Sequence, residues 1–261
     1  MASSLKSPVS YSQDQDLLTK SQEFRNIRLD SKMRVVLEEM RQTRELCDIT
    51  LVAGNVEIPA HKLVLAATSD YFRPMFIIDF KEKVSDKIVI QDVNPEILTL
   101  LVEYCYTSKV IINWDNVQDL FIGSRMLQFC DVAEACSQFL MNQIQLDNCL
   151  GINSFAKFHN DTDLVNKCFS YILEHFTEVV KQEEFLEMNK ADLLNVIVSD
   201  KIVVENEEQV FDCILSWINN DRGSRSQYLS EFMKHFRFPF LSSDYLGPFT
   251  KGPRTLLLLP I

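Results

Sequence analysis

Residues 47–76 read CDITLVAGNVEIPAHKLVLAATSDYFRPMF, and the spacing of their apolar positions changes within that stretch. Ile49, Leu51 and Ala53 fall on one face at the two-residue period of a strand. Gly54-Asn55 supplies a turn, and Val56 and Ile58 resume the alternation. From Pro59-Ala60-His61 the period lengthens to that of an amphipathic helix carrying Leu63, Val64, Leu65, Ala67, Phe72 and Phe76.

The flanking pattern extends this to a small mixed sheet surrounded by helices. Asp30 or Ser31 can cap a helix whose apolar face is Met33, Val36, Leu37 and Met40, with Phe24, Ile27 and Leu29 ahead of it as a strand-like segment. A strand is expected over 87–90, helices over 95–106, 117–129 and 132–144, and a short apolar piece at 110–112. The second half has no comparable strand signal. Its periodicity predicts helices over 149–158, 163–175, 176–181, 183–188, 190–198, 207–219 and 226–235, with Asp147, Asp161, Asn189 and Asn206 as caps. The fold class is therefore an α+β domain over 23–145 followed by an all-α domain over 146–246, with a polar flexible arm at 1–22 and an irregular tail at 247–261.

The net charge of −11 disfavours phosphate backbones and anionic lipid, so neither nucleic acid nor a membrane surface is an expected partner. No stretch approaches the roughly twenty apolar residues that span a bilayer, and the N-terminus lacks a signal-peptide run. The seven cysteines are an odd number, lie mostly among apolar neighbours and form no C-x-x-C; the four histidines do not cluster with them. Reduced thiols in cytosol or nucleus are expected, with no metal or cofactor.

Cys47-Asp48, Ala60-His61-Lys62, Leu65-Ala66-Ala67, Ser69, Tyr71-Phe72-Arg73 and Met75-Phe76, in that order, resemble the BTB/POZ fold of kelch-like proteins. Asn148 to Ile152, His175 to Val179, Glu184 to Leu186, Glu208 to Phe211, Trp217-Ile218 and Arg237 to Leu241 resemble the BACK domain that follows it. The resemblance implies protein–protein recognition rather than catalysis: a BTB dimer, as homodimer or heterodimer, that binds cullin 3 and serves as a ubiquitin-ligase adaptor. Kelch-like proteins continue into a propeller of repeats of about 50 residues rich in glycine doublets. With six glycines and none adjacent, this sequence is expected to hold no propeller, and its client is left undefined.

The same resemblance assigns contact residues. Phe80 and Glu82 stand where the family offers a hydrophobic residue and an acid to cullin 3; the alternative is that Phe80 folds onto its own core while Glu82 is solvated. Tyr71 and Tyr106 flank that surface, as interface or half-buried core tyrosines. Leu150 and Ile152 lie in the matching 3-box, as groove or as core. Phe24, Ile27, Leu29, Met33, Val36, Leu37 and Met40 would form the dimer interface, or cover their own domain. Asp48, His61 and Lys62 look like an acid–base cluster but lack a nucleophile or third member, and the family reading is a structural polar site near the dimer interface. Acidic neighbours of Cys130, Cys136 and Cys149 argue against redox-sensing thiols.

Two function classes follow: the cullin 3 adaptor in the cytoplasm, with nucleus or cytoskeleton as further sites, and, without ligase function, a BTB oligomerisation scaffold of cytoskeletal or transcriptional type or a competitor of full-length relatives. No active-site cysteine motif or nucleotide loop supports an enzyme.

Overall fold

The structure, a computed structural model, describes residues 26–78 and 85–235. Helix α1 (Ile27–Gln42) precedes strands β1 (Ile49–Ala53) and β2 (Val56–Ala60), which form an antiparallel hairpin with Leu51 opposite Ile58. Strand β3 (Lys87–Val89) joins the other edge of β1 in parallel, with Ile88 opposite Leu51, giving the order β2-β1-β3. Ile49, Leu51 and Ala53 are all buried, as their period of two demands. Gly54 turns the hairpin at φ 55, a left-handed angle that glycine adopts without strain. Pro59 is accommodated because β2 is an edge strand.

Helices α2 (Lys62–Thr68), α3 (Phe72–Ile77), α4 (Pro95–Thr107), α5 (Val117–Met126) and α6 (Cys130–Asn142) surround this sheet. The Asn94 side chain accepts from the Glu96 N–H and Pro95 opens α4, whose buried face runs Ile97, Leu98, Leu101, Val102, Cys105 and Tyr106. Helices α7 (Cys149–Phe158), α8 (Thr162–Glu174), α9 (Phe176–Val179), α10 (Glu183–Leu186), α11 (Lys190–Val198), α12 (Glu207–Asn220), α13 (Arg222–Arg225) and α14 (Leu229–Lys234) complete the described chain without a strand. An α+β domain followed by a helical one is what the structure shows. Asp161, Asn189 and Asn206 cap α8, α11 and α12 through side-chain oxygens, as their spacing implied.

Four local expectations are corrected. Ile27 and Leu29 are helical, not strand-like: Asn26 caps α1 by accepting from the Arg28 N–H at 3.1 Å, and the helix starts there rather than at Asp30 or Ser31. The stripe after His61 is broken in two. Ser69 turns extended, its hydroxyl donating to the Leu127 carbonyl at 2.7 Å and accepting from the Tyr71 and Phe72 N–H groups. Asn148, not Asp147, is the N-cap of α7, and its side-chain oxygen accepts from the Gln145 N–H. A 3-10 turn at Ser226–Tyr228 replaces the first turn of the last expected helix.

Two apolar cores result. The first joins the sheet to α2 through α6, and the second gathers α9 through α12 and α14 around Phe176, Phe185, Phe211, Trp217 and Phe232. Helices α7 and α8 belong to both, since Ile152, Ala156, Leu164 and Cys168 enter the first core while Cys149, Leu150, Ile172 and Leu173 enter the second.

Candidate interaction surfaces

Helix α1 packs on α4 through one face and leaves another without a covering element among the described residues. Leu37 lies against the first core, Arg34 donates from Nη1 to the Ser108 hydroxyl at 3.1 Å, and the Arg41 guanidinium sits 5.1 Å from the Tyr106 ring centre. Leu29, Met33 and Val36, spaced four and three residues apart, are 50%, 54% and 40% exposed. Met40 continues the row, half-buried. Such a stripe, on a helix attached to α4 by the neighbouring face, is what a helix-mediated interaction surface requires. Phe24 lies outside the described residues, and Ile27 stands at the first turn of α1.

A second apolar surface lies at α3. Tyr71 is half-buried, edge-on to Phe72 at 5.2 Å between ring centres. Phe72 and Phe76 are buried beneath it. Ile77 and Ile78, which the sequence reading did not single out, are 61% and 53% exposed and lead directly into residues 79–84. Phe80 and Glu82 fall in that segment, outside the described residues. The missed signal was the pair of isoleucines itself, two adjacent large apolar residues at the end of the helical stripe and directly ahead of Phe80.

Three expected contact residues have no surface to offer in this chain. Tyr106 is 1% exposed, Leu150 7% and Ile152 6%. The reading of Tyr106 as an interface residue is corrected: its hydroxyl is consumed inside, accepting from the His61 backbone N–H at 2.8 Å and meeting His61 Nδ1 at 2.9 Å. Leu150 and Ile152 belong to the second and first cores respectively.

Asp48, His61 and Lys62 do not assemble an acid–base site. Asp48 Oδ1 accepts from the Lys62 backbone N–H at 2.8 Å, and the Lys62 ammonium lies over the Phe76 ring. His61 is buried, with Nε2 3.0 Å from the Glu45 carbonyl and 3.8 Å from Cys47 Sγ. All seven cysteines are free, and burial pushes the thiols of Cys105 and Cys149 up to about 11 and those of Cys136 and Cys168 up to about 12. Cys130 differs, being exposed at the start of α6. Among the described residues there is no group of three or more metal-ligating side chains, and no helix is long and apolar enough to cross a membrane.

Two family models match in tandem: BTB/POZ domain over residues 37–144, and BACK (BTB And C-terminal Kelch) over residues 149–251. Kelch-like protein 3 of Pongo abelii is 42% identical over 211 residues, and kelch-like protein 2 of Mus musculus 40% identical over 211 residues; each alignment covers 81% of this chain. The chain spans 36% of the length of these curated relatives. The solved BTB domain of zebrafish PATZ1 aligns with 47% of this chain and 100% of its own at 24% identity and a TM-score of 0.43, a likeness on which nothing further rests. With a mixed sheet ringed by helices, a helical second half and both family models in sequence, the chain belongs to the BTB–BACK family of kelch-like proteins.

Proposed function

We propose that this chain is the dimerising and cullin 3-facing part of a ubiquitin-ligase adaptor, working by recruitment and not by catalysis. The observation that carries the reading is the bare stripe Leu29, Met33 and Val36 on a helix whose other face is already packed. BTB domains mediate protein–protein interaction and dimerisation, and a second copy of α1 offers a matching apolar stripe about a two-fold axis. Two joined copies would present two ligase-facing surfaces and gain by avidity where geometry allows.

Cullin 3 enters through the family resemblance at Phe80 and Glu82, supported by the exposed Ile77 and Ile78 just ahead of them. The proposal concerns this part alone, since the chain spans 36% of its relatives. Burial of a phenylalanine side chain is worth about 1.5–3 kcal/mol, or about ten- to hundredfold in affinity. Phe80→Ala with Glu82→Ala is therefore expected to abolish cullin 3 pull-down while the dimer is retained. Undiminished pull-down by the double variant overturns the cullin assignment, and a wild-type dimer that never retains cullin 3 favours the assembly scaffold.

A further inference from the structure

The connection from α1 to β1 is built against its own backbone preferences. Helix α1 closes with a Schellman motif, the Arg44 N–H donating to the Arg41 carbonyl at 3.2 Å and the Glu45 N–H to the Met40 carbonyl at 2.8 Å. Glycine usually fills the left-handed position of this motif. Here Arg44 occupies it at φ 60, and two residues on Leu46 adopts φ 55. Side chains at such angles are strained. Leu46 is 79% exposed, so packing of its side chain does not compensate.

The residue between them is held from outside. The Glu45 carbonyl lies 3.0 Å from His61 Nε2, and because a carbonyl only accepts, Nε2 carries the hydrogen. In the neutral ring Nδ1 then accepts from the Tyr106 hydroxyl at 2.9 Å, while that hydroxyl accepts from the His61 backbone N–H at 2.8 Å. His61 is thereby fastened to α4 at one nitrogen and to the α1–β1 connection at the other.

We propose that His61 is a positioning residue for the α1 surface: its Nε2–H bond to Glu45 latches a strained hinge and fixes how α1 leaves the BTB core. Leu37 and Arg34 tether the middle of α1 and Arg41 lies against the Tyr106 ring in its last turn, so the latch governs the connection and reaches the stripe at Met40, whose carbonyl accepts from the Glu45 N–H. The inference rests on the dimer reading for its effect on assembly, but not for the hinge itself.

Two substitutions in the full chain separate the bonds. In His61→Asn the short amide still reaches Tyr106 but not Glu45; in His61→Gln the amide nitrogen stands near the former Nε2 and keeps the Glu45 bond. His61→Asn is expected to weaken dimerisation about five- to tenfold in sedimentation equilibrium and to speed amide exchange at residues 44–47 by a similar factor, with α4 unchanged. His61→Gln is expected to stay within about twofold of wild type in both. Wild-type behaviour of His61→Asn in both measurements overturns the latch. Equal impairment by both variants, with faster exchange in α4, also overturns it, because His61 would then serve core packing alone. If the wild type is monomeric, the dimer reading fails while exchange at 44–47 still decides the latch: faster exchange in His61→Asn supports it, and unchanged exchange refutes it.

Discussion

Tyr106 and His61 meet across 45 positions of sequence, and the hydroxyl between them completes the hydrogen bonding of a buried backbone N–H and a buried ring nitrogen. Tyr106→Phe removes that oxygen without changing the ring's shape. Both groups on His61 lose their partner, so a loss of about 1–3 kcal/mol is expected in urea unfolding with helical content intact. Stability within about 0.5 kcal/mol of wild type contradicts the assigned network. Sequence spacing placed Tyr106 within a helix but gave no depth, because an interface tyrosine and a core tyrosine share the same period. Its partner is set by tertiary packing, and no local pattern reports it. Asp48 shows the same limit: beside His61 it suggests proton transfer, yet its oxygen caps the start of α2.

At the scale of elements, the strands and the long helices were legible because their apolar faces repeat over several turns; β1 and the buried face of α4 are examples. Their ends were less so. Helices α1, α5 and α7 are followed by left-handed Arg44, Gln128 and Asn160 respectively, where a glycine would have signalled the stop. The break at Ser69 depends on a bond to Leu127, 58 positions away. Gly123 does announce an element contact. A Cβ there would stand 2.7 Å from Ile97 Cγ2 on α4 and 3.7 Å from Leu101 Cδ1, so α4 and α5 approach as closely as they do only because that carbon is missing. Gly123→Ala is expected to cost about 1–3 kcal/mol despite alanine's better helix propensity. A stabilised variant in thermal or urea unfolding would show that the two helices separate freely.

For the whole molecule, the two halves read from the sequence share helices α7 and α8, which place residues in both cores. Domain class was legible, since one half alternates strand and helix periods and the other holds helix periods alone. The sharing was not, because a helix that is apolar on two faces looks only strongly hydrophobic. The same burial makes stability alkali-sensitive. Cys105 and Cys149 are pushed up to about 11, and Cys136 and Cys168 to about 12, from an ordinary 9.0. Below pH 9 both folded and unfolded chains keep these protons; as pH rises from 9 towards 11 and 12 the unfolded chain releases them first, so this stabilisation is lost. The urea midpoint is therefore expected to fall between about pH 8 and about pH 10.5, and a flat or rising midpoint contradicts the buried placement of these thiols.

The stripe on α1 is the molecule's largest claim, because Leu29, Met33 and Val36 have no covering partner among the described residues. Sedimentation equilibrium at micromolar concentration tests it directly, comparing the wild-type chain with Met33→Glu/Val36→Glu. A dimer of two 30.3 kDa chains is expected for the wild type and a folded 30.3 kDa monomer for the double variant. A wild-type monomer, or a dimer that both glutamates leave intact, would contradict α1 as the dimerisation surface.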